Sequence, residues 1–354
     1  MKPFSRRDFI KASVLGGAAM AFPIPRILAR SGIFKVHGNF PTQIGLTTGS
    51  NRADMTFRAL QPFSEQVKKA IGEKLVLIKP NNVANDIQLA SSHVDTLEGI
   101  LEFLKSIGKT NNVIIAESAA NGPTFTGYDN FGYFSLMKKF PVRLVDLDQE
   151  KSELIYVFDE KDFRPHPLRA SSLILSPDTY IISAARMKTH DRVLATLSLK
   201  NVVVGAPVKD PGYSWGPDHK KGAKSDKAIV HGNGFRGVNY NLYSLAGKLH
   251  PHLAVIDGFE GMEGNGPTKG TPVDHRVCLA GTDWLAADRV GIELMGINYA
   301  DVGYLNFCAD AQLGEGDLSK IEVLGEKIQD HIKHYRLSDN IQKQLIWEEP
   351  VLQR

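Results

Sequence analysis

Cysteine is scarce in this 354-residue chain, which contains only Cys278 and Cys308. Two cysteines allow one disulfide at most, and the chain has neither a C-x-x-C pair nor iron–sulfur spacing. Cys278 lies in the apolar run Val277–Ala280, which is typical of a buried thiol. We therefore expect no iron–sulfur cluster on this chain, while the identity of any other cofactor stays unknown.

Net charge is also small. The chain has 42 Lys and Arg residues against 39 Asp and Glu residues, a formal charge of +3. Lys2, Arg6, Arg7 and Lys11 against Asp8 account for the whole excess within the first 21 residues. The remaining chain is neutral, so its charge gives no indication of nucleic-acid binding.

Several familiar catalytic motifs are missing. The chain has no G-x-S-x-G nucleophile elbow and no H-E-x-x-H zinc motif. His250 and His252 could suggest a metal pair, but no third ligand stands at a useful spacing, so we predict no metal site.

Long hydrophobic runs are missing too. The apolar stretch Ala12–Phe22 is too short and too rich in Gly and Ala to span a bilayer stably. It follows Arg6-Arg7 and Phe9, which together predict a twin-arginine export signal. We expect residues 1–30 to be signal peptide and linker, with the twin-arginine export machinery as partner. The processed protein should then lie in the periplasm without a stable membrane span. The alternative is an ordinary basic amphipathic helix.

Short apolar runs recur along the rest of the chain and alternate with helical periodicity. One helical face runs from Leu97 to Ile107 before Gly108, and another helix ends at Gly296. The pattern predicts an α/β layered fold with a mostly parallel or mixed central sheet flanked by helices. We expect one α/β domain over 31–354, with two lobes as an alternative, and a long loop at 206–237. The apolar runs that we predict as strands are Leu75–Ile78, Val113–Ala116, Leu144–Leu147, Leu154–Phe158, Tyr180–Ile182, Thr196–Val204, Leu253–Ile256, Arg276–Ala280 and Ile321–Leu324.

Ionisable residues stand where several of these runs end. Lys79, Glu117 and Asp257 each close a run and precede a turn. In open parallel sheets, ligands bind outside the carboxyl ends of the strands. The glycine-rich segment 258–272 follows Asp257, and its backbone could approach a ligand closely. The alternative is a wide turn whose glycines serve geometry only.

The segment from residue 183 to 205 concentrates polar groups in an apolar context. Lys188 and His190 precede an alternating run, and Lys200 and Asn201 close it, so we interpret them as the two ends of one strand unit. A lysine inside an apolar run is costly to bury without a partner. Edge-strand charges that limit aggregation are the alternative.

These landmarks, in this order, resemble a bacterial and archaeal family catalogued as domain of unknown function 362. The resemblance covers roughly residues 40–330. Many family members also carry ferredoxin-type cysteine motifs, and this chain has none. The matching residues are Lys79-Pro80-Asn81, His93, Glu117-Ser118, Lys188-Thr189-His190, Leu197-Ser198-Leu199-Lys200-Asn201, His231-Gly232, Asp257-Gly258, Met262-Glu263-Gly264-Asn265-Gly266-Pro267, Gly281-Thr282-Asp283 and Gly314-Glu315-Gly316-Asp317-Leu318.

The residues predict an exported protein with a pocket for a small anionic substrate or cofactor. Lysine ammonium groups would hold carboxylate or phosphate oxygens, His190 would act as general acid or base, and Asp257 or Glu117 would orient it. The 206–237 loop would close over the ligand. The alternative is a periplasmic anion-binding or redox-accessory protein without catalysis. The candidate catalytic residues are His190, Lys200, Lys188 and Asp257, and the candidate binding residues are Lys79, Asn81, Glu117, Asn201, His231, Glu263 and Asn265.

Overall fold

The structure is a computed structural model that describes residues 42–349 of the chain. The predicted signal and linker at residues 1–30 lie outside the described residues. The strands of the described part are β1 (Thr42–Thr48), β2 (Leu75–Lys79), β3 (Val113–Glu117), β4 (Val142–Asp146), β5 (Ser152–Phe158), β6 (Pro165–Ser171), β7 (Thr179–His190), β8 (Leu194–Thr196), β9 (Leu253–Asn265), β10 (Lys269–Gly281) and β11 (Ile321–Gly325).

Helices separate most of these strands. Two of them confirm the helices predicted before Gly108 and Gly296, two glycines with φ values of 71° and 61°. The α-helices are α1 (Arg52–Leu60), α2 (Ser64–Ile71), α3 (Val94–Ser106), α4 (Thr124–Asn130), α5 (Ser172–Leu175), α6 (Ser198–Gly205), α7 (Lys227–Val230), α8 (Phe235–Ala246), α9 (Trp284–Leu294), α10 (Gly303–Asp310) and α11 (Ile341–Gln344).

One mixed sheet organises the described residues. Its strand order is β11-β1-β10-β9-β7-β2-β3-β4, and β8 folds back antiparallel onto the end of β7. The pairs β9–β7, β7–β2, β2–β3 and β3–β4 are parallel, whereas β10 is antiparallel to both β1 and β9. β5 and β6 form a separate hairpin. The layered α/β fold with a mixed central sheet, flanked by helices, is therefore confirmed.

The core lies on both faces of this sheet. Val76 and Ile78 of β2 join one apolar cluster, while Leu77 between them joins the other. Helix α3 covers the first face through residues such as Leu97, and helix α6 covers the second through residues such as Val202. Because both faces are buried, the strands consist of continuous apolar runs rather than alternating ones.

The parallel strands carry polar residues to one edge of the sheet. Lys79 ends β2, Glu117 ends β3 and Asp146 ends β4, and Glu117 and Asp146 are register partners. His190 ends the longer strand β7. The carboxyl ends of neighbouring parallel strands thus form the edge where the sequence predicts a site.

The predicted strand at Thr196–Val204 is wrong for most of its length. Only Thr196 belongs to β8, and the chain then forms helix α6. The buried carboxylate of Asp288 accepts the N–H groups of Ser198 at 2.8 Å and Leu199 at 3.1 Å. A carboxylate at a helix N-terminus satisfies its free donors and stabilises it. The β-branched valines favour a strand locally, but this distant cap outweighs that preference.

The predicted loop at 206–237 is less regular than its flanks but is not wholly irregular. Helix α7 lies within it, and helix α8 begins at Phe235. Before α7, one isolated β-bridge joins Pro207 to Ala170 of β6, and another joins Lys209 to Ser225 within the segment itself. The irregular backbone therefore lies between α6 and α7.

Candidate functional site

A cavity of about 620 Å³ opens at the polar edge of the sheet. The ends of β2, β3 and β7 form one side, helix α6 lies across them, and the 206–237 segment forms the other wall. The charged and polar residues that carry its chemistry are Lys79, Asn81, Glu117, His190, Lys200, Asn201, Lys227 and His231. Seven of these residues, all except Lys227, are candidates from the sequence analysis. Six of the seven lie at or just after the ends of β2, β3 and β7 or in α6, and the seventh is His231.

Lys79 and Glu117 form a buried ion pair at the floor of the cavity. Lys79 Nζ lies 2.6 Å from Glu117 Oε1, and each residue is 1% exposed. The same carboxylate accepts the backbone N–H groups of Asn82 at 2.9 Å and Ser118 at 2.8 Å. Burial lowers the pKa of Lys79, while the charge of Glu117 opposes that shift. Glu117 therefore fixes Lys79 and the turn after β2, and it does not orient His190.

An amide network extends from this pair. Asn201 Nδ2 donates to the carbonyl of Lys79 at 3.0 Å, and Asn201 Oδ1 accepts from Asn81 Nδ2 at 3.0 Å. Asn81 Oδ1 in turn accepts from Lys188 Nζ at 2.6 Å, and Lys188 also donates to the Ala90 carbonyl at 2.6 Å. Lys188 does not line the cavity, and burial, followed by the charge of Lys200, lowers its pKa well below the usual range. Lys188 therefore holds the cavity residue Asn81 in place without lining the cavity itself.

His190 and Lys200 form the central pair of the cavity. His190 Nε2 lies 3.0 Å from Lys200 Nζ. Both residues are buried, His190 with 5% and Lys200 with 4% of its surface exposed. They meet because β8 turns the chain back, so that the first turn of α6 faces the end of β7. The sequence predicts this proximity, although it assigns Lys200 to a strand rather than a helix.

The hydrogen bonds tie the proton on the His190 ring to the charge of Lys200. When the backbone N–H of Arg192 donates to Nδ1 at 3.0 Å, the neutral ring carries its proton on Nε2, and that N–H faces an uncharged Lys200 amine. When Lys200 is an ammonium, its Nζ donates to Nε2, and the ring proton lies on Nδ1, 3.3 Å from Asp191 Oδ1. Burial lowers the pKa of Lys200 to about 8, and burial together with the charge of Lys200 lowers the pKa of His190 well below its usual range.

Lys227 is a cavity lysine that the sequence analysis did not single out. Its Nζ donates to the carbonyls of Pro207 at 2.6 Å, Gly205 at 3.2 Å and Val204 at 3.3 Å. Burial lowers its pKa to about 7, while the charges of Asp148 and Glu117 oppose that shift. The three acceptors match the three donors of an ammonium. Lys227 thus places a cation at the C-terminal end of α6, where the helix dipole favours one.

His231 also lines the cavity, as the sequence predicts. Its Nδ1 donates to the carbonyl of Lys227 at 3.2 Å, which leaves Nε2 without the ring proton. Burial, with the nearby charge of Lys200, lowers the pKa of His231 to about 4. His231 is therefore a neutral acceptor at neutral pH.

A glycine motif after His231 was also missed. Residues Gly232, Gly234 and Gly237 match G-x-G-x-x-G, and helix α8 begins within it. The pattern is typical of a dinucleotide phosphate loop. Here Glu160 occupies the helix start, because its Oε2 accepts the Gly237 N–H at 2.7 Å. A carboxylate at that position excludes a phosphate, so these glycines serve close packing.

Asp257 does not join the cavity. It lies within β9 rather than at its end, opposite Arg186 of β7 in the parallel register. Its Oδ2 lies 3.2 Å from Arg52 Nε and 3.5 Å from Arg186 Nη1, and Thr96 Oγ1 donates to it at 2.9 Å. Asp257 therefore neutralises two buried arginines, and the prediction that it orients His190 is wrong.

Glu263 and Asn265 also lie outside the cavity lining. The segment after Asp257 continues β9 and pairs with β10, rather than forming a wide loop. Glu263 accepts the Arg336 N–H at 2.9 Å, and Asn265 Nδ2 donates to Asp339 at 2.7 Å. Both side chains hold the C-terminal segment, and only the turn residues Pro267 and Thr268 reach the cavity.

Metal-ligand geometry occurs away from the cavity. Within residues 42–349, one group of three suitable side chains has ligand atoms within 4.8 Å of one another: Asp159, Asp162 and His166, next to the β5–β6 turn. His166 Nε2 already bonds Asp162 at 2.9 Å. Among the same residues, no helix is long and apolar enough to cross a membrane.

Comparisons with known proteins identify the family of the chain and its export signal. The model of the family described as domain of unknown function (DUF362) matches residues 76–293, more than half of the chain, and the chain belongs to this family. The twin-arginine translocation pathway signal sequence matches residues 3–23, so the protein is exported. The thylakoid-associated protein sll1697 of Synechocystis sp. is 23% identical over 229 residues, which cover 64% of this chain and 64% of that relative. No solved structure matches significantly.

Proposed function

We propose that this exported protein is an enzyme that binds a small anionic substrate in the cavity and transfers a proton with His190. The observation that carries the proposal is the contact of 3.0 Å between His190 Nε2 and Lys200 Nζ inside a cavity lined by further lysines. We further propose that the protein acts in the periplasm.

The choice of an anion follows from the charges. Lys79 has Glu117 as its partner, but no carboxylate oxygen in the described residues lies within 4.0 Å of Lys200 or Lys227 Nζ. Buried cations without counter-charges are costly. A carboxylate or phosphate in the cavity would supply the missing negative charge, and its size is limited by the volume of about 620 Å³.

The choice of proton transfer follows from His190. One tautomer donates from Nε2 towards Lys200 while Nδ1 accepts from Arg192. In the other tautomer, Nδ1 carries the proton and faces Asp191 Oδ1 at 3.3 Å. Both forms are neutral, so the ring can exchange a proton with a bound substrate without placing an extra charge in the cavity.

The second candidate is an anion-binding or redox-accessory protein without catalysis. The observation that favours it is that the backbone N–H of Arg192 occupies His190 Nδ1 at 3.0 Å, which competes with the carboxylate of Asp191 at 3.3 Å for that nitrogen. Anion binding needs only the cavity lysines, whereas proton transfer needs His190.

The test combines binding and exchange. Thermal unfolding is measured with inorganic phosphate against chloride at equal ionic strength, and pyruvate, oxaloacetate and lactate are incubated in deuterated water and followed by proton NMR. We expect phosphate to stabilise the protein and at least one acid to exchange its hydrogen faster than without protein. His190→Ala should stop the exchange, while the exposed control His166→Ala should not.

Two outcomes would decide against the proposal. Stabilisation by phosphate without exchange of any of the three acids would favour the binding protein. Exchange that persists at the wild-type rate in His190→Ala would place the proton transfer on another group.

A further inference from the structure

We propose that Lys200 Nζ is a nucleophile, and that the substrate is a small 2-oxo carboxylate whose carbonyl carbon it captures as an imine. The inference rests on the proposed anion site and adds the class of substrate and the bond that is formed. It is carried by the contacts of the cavity lysines.

The three cavity lysines differ in what their amines do. Lys79 donates to the Pro80 carbonyl at 2.7 Å and is paired with Glu117 at 2.6 Å, so it is held as an ammonium. Lys227 donates to three carbonyls. The Lys200 amine contacts only His190 Nε2. Among the lysines lining the cavity, Lys200 alone has no oxygen acceptor, so its amine can lose a proton and attack a carbonyl carbon without breaking an ion pair or a carbonyl contact.

Burial supports the same assignment. Lys200 is 4% exposed and lies in the first turn of α6, where the packed helix fixes its position. Desolvation lowers the pKa of its amine to about 8. A desolvated lysine is a familiar carbonyl nucleophile. The positive charge of Lys227 lies in the same cavity and would attract the carboxylate next to the carbonyl.

The reaction balances with the groups present. The amine lone pair attacks the carbonyl carbon, one amine proton leaves, and the carbonyl oxygen gains one proton to form a carbinolamine. His190 faces the amine with Nε2, and with its ring proton on Nδ1 it can accept the first amine proton at Nε2 and then give a proton to the carbonyl oxygen, so that the ring ends neutral. Loss of the hydroxyl as water, with the second amine proton, gives the imine. No oxidant or reductant is needed.

The test traps the imine by reduction. The folded protein is incubated with pyruvate and sodium cyanoborohydride, and intact mass and peptide mapping follow. We expect one adduct with the mass of pyruvate, less water, plus two hydrogens, located on Lys200. Inorganic phosphate should suppress it by competing for the cationic groups. Lys200→Arg, which keeps the charge but forms no imine, should lose the adduct, and the exposed control Lys221→Met should keep it.

The outcomes separate this inference from the proposed function. Absence of the Lys200 adduct while phosphate still stabilises the protein would overturn the imine and leave the anion site standing. Absence of both would overturn the two together. An adduct spread over exposed lysines, or one that persists in Lys200→Arg, would show nonspecific modification and also overturn the inference.

Discussion

Replacing Lys200 by Met should stabilise the empty protein at neutral pH. Burial lowers the pKa of this amine from 10.5 to about 8. At about pH 7 both the folded and the unfolded amine are protonated, so folding carries the whole cost of burying the ammonium, about 3 kcal/mol at 1.36 kcal/mol per pKa unit. Methionine keeps the apolar stem and removes that cost. It also removes the His190 hydrogen bond, which contributes about 1 kcal/mol.

The net gain is therefore about 2 kcal/mol at about pH 7. The sign of its pH dependence is fixed. Between the folded pKa of about 8 and the unfolded value of 10.5, the unfolded wild-type chain binds more protons than the folded protein. Wild-type stability consequently rises with pH through this window. The advantage of Lys200→Met should shrink there and nearly vanish at about pH 9.5.

Urea unfolding of both proteins at about pH 7 and about pH 9.5 measures this difference. Lys79→Met is the matched contrast, because it leaves Glu117 buried without its partner, a change that costs about 3–5 kcal/mol. A Lys200→Met protein that is less stable than wild type at both pH values by the same amount would refute the reasoning. Lys200 would then be a packing residue.

Three further outcomes are expected. Changing both Arg6 and Arg7 to Lys should retain the protein in the cytoplasm, as fractionation would show, and unchanged export would contradict the signal assignment. Cys278 and Cys308 should resist maleimide in the folded protein, because burial raises the pKa of Cys278 to about 12 and that of Cys308 higher still. Fast labelling would show exposure. Phosphate binding near neutral pH should take up protons, because the anion raises lysine pKa values such as that of Lys227, which burial lowers to about 7. Calorimetric heats that are the same in buffers of different ionisation enthalpy would contradict this.

Much of the fold can be predicted because strands that are buried on both faces of the sheet appear in the sequence as continuous apolar runs. The run Val113–Ala116 falls within β3, and the run Leu253–Ile256 falls within β9. Helix α6 could not be predicted, since its stabilising cap is the carboxylate of Asp288, about 90 positions further along the chain. A single-sequence pattern contains the valines but not this partner.

The candidate site, too, could be predicted only in part. Lys79, Glu117 and His190 do end parallel strands, and the sheet brings them to one edge. Asp257 was misplaced because the glycine after it suggests a turn, whereas β9 continues through it and pairs with β10. Lys227 was missed because it stands among exposed lysines of the same segment, and nothing in its local sequence distinguishes it.

Two groups of buried cations in the described residues are compensated differently. Arg52 and Arg186 share the carboxylate of Asp257, and Arg186 also pairs with Glu260 at 3.1 Å, so the fold itself supplies their counter-charge. Lys200 and Lys227 have only an imidazole and backbone carbonyls as partners. A fold that needed cations only for packing would neutralise both groups in the same way, because an uncompensated buried charge is costly. The difference supports the proposal that a bound anion supplies the negative charge for the lysines. The cavity beside Lys200 is where a small anion would supply it.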